Sequence, residues 1–174
     1  MSDTALVQIL CPDRTGLIAA VAGRLHDLGV NLGDTTFAVL GGGAEFTSVC
    51  ELPRGVSPEA VEEDLRALAE VEGGKVTVTS FSLPDVHGPS AQVTHRIEIA
   101  GRDMPGLVAR LAEAFNEFGA NIVRLNSERI PGTGGARYVT RIAAWIPQEK
   151  TEACLATVAN TAAQMNLTCK AVAA

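Results

Sequence analysis

The amino-acid sequence predicts an α+β protein built from two copies of one small unit, each with the element order βαββαβ. Residues 5–32 align with residues 95–122 without a gap, so one pattern recurs ninety positions later. Short stretches of alternating apolar and polar residues predict strands, and apolar residues spaced three or four apart predict amphipathic helices. The 174 residues, of which 47% are hydrophobic and 20% charged, are enough for two small folded domains.

Identical residues at matched positions support the internal repeat. The aligned pairs include Ile9 with Ile99, Asp13 with Asp103, Gly16 with Gly106, Leu17 with Leu107, Ala19 with Ala109, Ala22 with Ala112, Gly29 with Gly119, and Asn31 with Asn121. This run of matches at one constant offset indicates that a whole unit was duplicated.

The first strand and first helix of each copy are the most regular elements. We expect strands at residues 5–10 and 96–100. In the helices that follow, the core-facing side is predicted to consist of Leu17, Val21, Leu25 and Leu28 in the first copy, and of Val108, Leu111, Phe115 and Phe118 in the second. Gly29 and Gly119 then supply the expected C-terminal stop.

The remaining elements complete each βαββαβ unit. We expect second strands at 31–40 and 121–130, glycine-rich hairpin loops at 41–43 and 131–135, third strands at 45–52 and 137–146, and closing strands at 75–83 and 167–172. Ser57 as N-cap and Pro58 in the first turn open the second helix of the first copy. Its predicted buried residues are Val61, Leu65 and Leu68, and those of its counterpart are Leu155, Val158, Ala162 and Met165.

These elements divide the chain into a first domain at residues 1–83, a linker at 84–92 and a second domain at 93–174. A βαββαβ unit, which is the ferredoxin-like arrangement, has an antiparallel sheet with both helices on one face. The other face and two strand edges are left uncovered. We therefore expect the units to pack against each other, within one molecule or in a homo-oligomer, and to form a small-ligand pocket at a seam.

The turn between the first strand and first helix is the strongest candidate binding site. Both copies have the pattern D-x-x-G-L, and the candidate ligand-binding residues are Asp13, Arg14, Thr15, Gly16 and Leu17 in the first copy and Asp103, Met104, Gly106 and Leu107 in the second. Glycine permits close approach of a ligand, free N–H groups at the helix start suit a carboxylate, and the aspartate suits an ammonium group. The turn would therefore accommodate an amino-acid zwitterion.

Asn31 and Asn121 open the second strands, and their amides are expected beside the same turn, where they would add hydrogen-bonding capacity. A purely structural interpretation is also open. Aspartate before a helix is a preferred N-cap, and glycine suits a tight turn. The spacing by itself does not separate these two interpretations.

The D-x-x-G-L turn, followed by L-G-V-N-L at residues 28–32 and F-G-A-N-I at 118–122, resembles the ACT domain over nearly the whole chain, twice. ACT domains are regulatory modules that respond to amino acids. Two such domains without an enzyme resemble the glycine cleavage system transcriptional repressor family, which acts through a DNA-binding activator. The resemblance implies ligand contacts at Asp13, Gly16, Asn31 and their counterparts. The chain departs from the ACT pattern at Thr15, where proline is common, and at Cys11 and Gly101, which begin the two turns.

Composition narrows the possible partners. A net charge of -6 argues against direct nucleic-acid binding. A signal peptide and a membrane span are not recognisable, so we expect a cytoplasmic protein. The four cysteines have no metal-ligand spacing, and the three histidines are isolated, so we expect structural thiols, no metal and no cofactor.

Two alternatives to an amino-acid sensor stay open at this stage. An acylphosphatase-like hydrolase would use Arg14, Gly16 and Asn31, although the carboxylate of Asp13 would repel a phosphoryl group and Met104 replaces the arginine in the second copy. A protein that binds partners without a small ligand is the other alternative. The duplication occupies nearly the whole sequence, so we favour a non-enzymatic regulatory protein.

Overall fold

A computed structural model describes residues 3–84, 86–131 and 135–174. The chain divides into two compact units, residues 1–83 and 84–174. Part of the predicted hairpin loop at 131–135 lies outside the described residues. In the part of the chain that the structure describes, no helix has the length and hydropathy needed to cross a bilayer.

The first unit has the predicted order of strands and helices. Its elements are β1 (Asp3–Pro12), α1 (Leu17–Asp27), β2 (Asn31–Leu40), β3 (Gly43–Leu52), α2 (Pro58–Arg66) and β4 (Lys75–Ser80). A short 3-10 turn at Ala69–Val71 lies between α2 and β4.

The second unit repeats this order. Its elements are β5 (His95–Gly101), α3 (Leu107–Glu117), β6 (Asn121–Ile130), β7 (Arg137–Trp145), α4 (Thr151–Gln164) and β8 (Thr168–Ala173). Further 3-10 turns occur at Pro89–Ala91 and Gln148–Lys150. The first of these falls within the segment predicted to be a linker.

Each unit contains one antiparallel sheet of four strands, in the order β2-β3-β1-β4 in the first unit and β6-β7-β5-β8 in the second. One face of each sheet is buried against the two helices. Alternate residues of β3, such as Phe46 and Cys50, are buried there together with Val21 and Leu25 of α1. The predicted α+β class with two ferredoxin-like βαββαβ units is confirmed.

The glycine stops of the first helices are confirmed in detail. Gly29 and Gly119 have φ of 72° and 67°, the left-handed conformation that glycine adopts at little cost. The N–H of Gly29 donates to the carbonyl of His26, and the N–H of Val30 donates to that of Leu25, each at 2.9 Å. This pair of bonds is the Schellman arrangement, which satisfies carbonyls that the helix end leaves without partners.

The predicted core-facing orientation of one helix residue is wrong. Val108 was expected to face the core, but it is 39% exposed, and Leu107 is buried instead. Since α3 begins at Leu107, the buried face runs through Leu111, Ala114 and Phe115. The stripe was displaced by one residue because Leu107 and Val108 are both apolar at the helix start.

Apart from β2 and β6, the strands have ends that differ from the prediction by up to three residues. The closing strand predicted at 75–83 ends at Ser80, although the N–H of Phe81 still donates to the carbonyl of Thr4 at 2.8 Å. Beyond this bond the chain approaches Pro84, which has no N–H to offer a neighbouring strand.

The two units differ in residue size at one matched contact, where the end of the first strand meets the start of the last strand. The unit with a larger residue on one side of this contact has glycine on the other side. In the first unit, a Cβ on Gly74 would lie 2.4 Å from the Cβ of Cys11. In the second unit the small residue is Gly101, at the position of Cys11, and a Cβ there would lie 2.4 Å from Cδ2 of Leu167. Each unit therefore combines one larger residue with one glycine at this point, and the glycine lies just before β4 in the first unit but at the end of β5 in the second.

Substituting these two glycines should have different consequences. At Gly74 the added Cβ would also meet the carbonyl oxygens of Val71 and Leu10, at 2.8 and 2.9 Å, whereas at Gly101 the closest contact is a movable leucine methyl. We expect Gly74→Ala to lower the free energy of unfolding by about 1–3 kcal/mol without rescue by Cys11→Gly. Gly101→Ala should be rescued by Leu167→Ala, so that the double variant loses less than the sum of the singles.

Urea unfolding of the single and double variants measures the free energy of unfolding of each, and so shows whether the second substitution restores stability. Additive losses for Gly101→Ala and Leu167→Ala would contradict the proposed compensation.

Candidate functional site

The candidate site in each unit is a tight turn of four residues that leads from the first strand into the first helix. In the first unit the N–H of Leu17 donates to the carbonyl of Arg14 at 3.3 Å, and in the second Leu107 donates to Met104 at 3.2 Å. The third residue of each turn is glycine, with φ and ψ of 89° and -6° at Gly16 and of 80° and 2° at Gly106. These angles define a type II turn, which requires positive φ at this position.

Glycine, rather than aspartate, is the residue that precedes each helix. Gly16 and Gly106 occupy the N-cap positions, and neither helix start has a side-chain cap. The interpretation of Asp13 and Asp103 as helix caps is therefore wrong. The turn places three residues between each aspartate and the first residue of the helix, so the aspartate is too early in the chain to cap.

The N-terminal amides of α1 are only partly satisfied. The N–H of Ala20 donates to the carbonyl of Gly16 at 2.9 Å, whereas those of Ile18 and Ala19 make no hydrogen bond within the described residues. Such amides carry the positive end of the helix dipole. A Cβ on Gly16 would have nothing within 4 Å, so space is open beside these groups.

Asp13 and Arg14 differ in how they are held. Asp13 is exposed, and its main-chain N–H donates to the carbonyl of Gly42 at 3.0 Å, which fixes the turn to the β2–β3 hairpin. Its carboxylate has no partner among the described residues. Arg14 reaches across to the 3-10 turn, where Nη1 donates to the carbonyls of Ala69 and Glu70, each at 3.0 Å.

The second turn has different side-chain contacts. Arg129 on β6 donates to Asp103 in an ion pair, which joins the turn to the neighbouring strand. Met104, at the position of Arg14, is partly buried against the core of its unit. Val39 on β2 matches Arg129, so the first unit has no equivalent ion pair. The two copies of the candidate site are therefore chemically unequal.

The asparagines do not lie beside the turn of their own unit, and that expectation is wrong. Asn31 pairs with Glu51 at one end of the sheet, and Glu51 pairs with Thr4 at the start of β1, whereas the turn follows Pro12 at the other end. Eight residue steps along β1, each about 3.3 Å, separate the two ends by roughly 26 Å. Helix α1 returns the chain to the starting end before β2 begins.

Asn121 in the second unit has a structural partner. Its Nδ2 donates to the carbonyl of Ser90 at 2.9 Å. This bond holds the Pro89–Ala91 turn against β6, so part of the predicted linker is bound to the second unit.

The sequence interpretation missed an apolar residue beside each turn. Ile18 is 46% exposed and Val108 is 39% exposed, at matched second positions of α1 and α3. An exposed apolar side chain next to open amide groups suits a ligand with both a charged and an apolar part. A β-branched residue at both helix starts is a signal in the sequence, but the helical pattern assigned Val108 to the core and gave Ile18 no role.

A shallow cavity of about 610 Å³ lies at the same end of the first sheet as the turn. It is lined by Leu10, Cys11, Pro12, Gly42, Gly43, Gly73, Gly74 and Lys75. Burial raises the pKa of the Cys11 thiol, opposed by the positive charge of Arg14, so this thiol is a poor nucleophile. The other cysteines are also free thiols. In the described ranges, no group of three or more His, Cys, Asp and Glu side chains is placed to hold a metal ion.

Comparison with solved structures shows the same fold over the full length of the chain. An unknown protein from Galdieria sulphuraria superposes with a TM-score of 0.76 and 16% identity, covering 100% of this chain and 99% of its own. A protein described as a putative glycine cleavage system transcriptional repressor superposes with a TM-score of 0.67 and 14% identity, covering 100% and 98%. At these identities the likeness shows a shared fold.

No family model matches the chain, and no curated protein matches it significantly. The likeness to solved structures therefore concerns the fold of the βαββαβ units.

The left-handed conformation of Gly16 leads to a prediction about stability, and Gly23 on the same helix provides the control. We expect Gly16→Ala to lower the free energy of unfolding by about 1–2 kcal/mol, because a side chain disfavours positive φ. Gly23→Ala should instead raise it by up to about 1 kcal/mol, since Gly23 lies within α1 with open space around it. Urea unfolding compares them, and equal effects would contradict the strain argument.

Proposed function

We propose that this chain is a non-catalytic regulatory protein that binds an amino acid at the turn following β1 and transmits the binding event to a partner protein. The observation that carries the proposal is the duplicated turn, with its open helix start and, in the first unit, a carboxylate that has no partner among the residues the structure describes. The resemblance of this repeat to ACT domains supports it. The full-length likeness to a protein described as a repressor is consistent with the same role.

The chemistry of the first turn favours a zwitterionic ligand. The carboxylate of Asp13 would accept hydrogen bonds from an ammonium group, and the amides of Ile18 and Ala19 would donate to a carboxylate. Glycine or serine is small enough for a shallow site of this kind, and the exposed side chain of Ile18 would contact the ligand's carbon atoms.

The first unit is proposed as the stronger site. In the second unit an ammonium group would compete with Arg129 for Asp103. This ion pair is solvent-exposed, and exposed pairs contribute about 0.2–1 kcal/mol. Competition from a pair of this strength would weaken amino-acid binding by roughly five-fold or less. The second turn would therefore bind the same ligand more weakly than the first.

The proposed output is a change in the surface presented to a DNA-binding regulatory protein in the cytoplasm. A ligand shifts a conformational equilibrium only through different affinities for the two states. Affinity capture with the full chain, with and without glycine, followed by identification of the retained proteins, would test this output. Retention of a transcriptional activator that depends on glycine would support it, and retention unaffected by glycine would contradict it.

Calorimetric titration with glycine and serine tests the ligand site directly. We expect Asp13→Asn to reduce affinity by about 1.5–3 kcal/mol, because a charge-assisted hydrogen bond is lost. Asp27→Asn, at the exposed end of α1, removes the same charge far from the turn and should leave affinity unchanged. Asp103→Asn should have a smaller effect than Asp13→Asn.

Two results would count against the site. Equal loss of affinity in Asp13→Asn and Asp27→Asn would indicate a general charge effect. The absence of heat and of any thermal shift with every amino acid tested would remove the support for sensing.

The acylphosphatase-like alternative is not favoured by the geometry. The guanidinium of Arg14 is bound to two main-chain carbonyls, and Asn31 lies at the other end of the sheet from Gly16. These three residues therefore do not converge on one phosphate. We expect no hydrolysis of acetyl phosphate above the uncatalysed rate, and hydrolysis that is lost in Arg14→Ala would overturn this expectation.

A further inference from the structure

The face of the second sheet that is turned away from the helices carries an unusual concentration of positive charge. Two neighbouring rows of residues cross this face in register. The first row consists of Arg124, Ala143, Arg96 and Val172, and the second of Asn126, Arg141, Glu98 and Lys170. All eight residues line one cavity of about 490 Å³.

The first row forms a notch between two arginines. Arg124 on β6 and Arg96 on β5 are separated by Ala143 on β7, whose methyl group leaves the space between them open. Adjacent strands are about 4.8 Å apart, so the two arginine backbones are roughly 10 Å apart. This width and the cavity volume suit a small organic molecule.

Of the four cations in the two rows, only Arg141 is held by carboxylates within the described residues. Nε of Arg141 donates to Glu98 at 3.1 Å, and its Nη1 donates to Glu128 on β6. Arg96, Arg124 and Lys170 make no ion pair or side-chain hydrogen bond within the part of the chain that the structure describes. Four cations against two carboxylates leave a surplus of two positive charges.

The first unit shows that these charges are not needed to build the sheet. At the matched positions of its open face, Leu6, Val49 and Thr79 form one row, and Thr36, Thr47, Gln8 and Thr77 form the other. The same strand order is therefore maintained without any of the four cations. The units also differ in total charge, with 5 Lys and Arg against 12 Asp and Glu in residues 1–83, and 9 against 8 in residues 84–174.

We propose that the open face of the second sheet binds a small organic dianion, a phosphate monoester or a dicarboxylate, between Arg96 and Arg124. Arginine guanidinium groups pair with both anion types through two parallel hydrogen bonds. Lys170 supplies a further charge at the edge of the cavity, and Arg141 acts as a positioning residue that keeps the two carboxylates away from the ligand. The alkyl parts of the arginines, with Ala143 and Val172, contact the ligand's carbon atoms.

Calorimetric titration of the full chain with glycerol 3-phosphate and with succinate at low ionic strength tests the proposal. We expect at least one of them to bind. The triple variant Arg96→Gln/Arg124→Gln/Lys170→Gln should lose affinity at least ten-fold. A control, Arg102→Gln/Arg110→Gln/Lys150→Gln, removes the same charge from exposed positions of the same unit and should bind within two-fold of the unchanged protein.

Binding of glycerol 3-phosphate alone would identify a phosphate site, and binding of succinate alone a dicarboxylate site. Failure of both probes to bind, or equal losses in the triple variant and its control, would overturn the proposal. A third result would also overturn the proposal: neither probe binds, but duplex DNA binds and its binding is lost when Arg96 and Arg124 are substituted. Circular dichroism verifies folding of the triple variant. If the spectrum of the triple variant is altered, the single variant Arg124→Gln is used in its place.

The dianion site is independent of the proposed amino-acid site. Asp13→Asn should leave glycerol 3-phosphate and succinate binding unchanged, so failure of one proposal does not imply failure of the other.

Discussion

The position of the third strand between the first and second strands constrains everything else in each unit. Because β3 is hydrogen-bonded to both β1 and β2, the latter two run parallel, and α1 must return along the sheet between them. The turn before the helix and the asparagine after it are thereby placed at opposite ends. A motif that is compact in sequence is divided in space, so Asn31 and the turn of the same unit cannot contact one small molecule together.

The order and type of the elements could be predicted because local patterns determine them. Gly29 and Gly119 end helices by a conformation that few other residues adopt, and β2 and β6 have the predicted bounds because each begins just after such a stop. Ser57 caps α2 as expected, accepting from the N–H of Ala60 at 3.3 Å. The error at Val108 arose where two adjacent apolar residues fit a helical period equally well.

The contacts of the candidate site could not be predicted in the same way, because they join residues that are distant in sequence. The bonds of Arg14 to Ala69 and Glu70 and the pair of Asp103 with Arg129 depend on how strands and turns meet in space. The pattern D-x-x-G-L is also explained in part by the type II turn, which requires its glycine. The aspartate is the member of the pattern that neither the turn nor the helix start requires.

The exchange of residue sizes between Cys11 with Gly74 and Gly101 with Leu167 has a consequence for assembly. A chain with two similar sheets risks pairing the first strand of one repeat with the last strand of the other during folding. Such a hybrid would bring Cys11 against Leu167, which is too bulky, or Gly101 against Gly74, which leaves a void. The volume at a single crossing point would thus favour pairing of each unit's own strands over hybrid pairing.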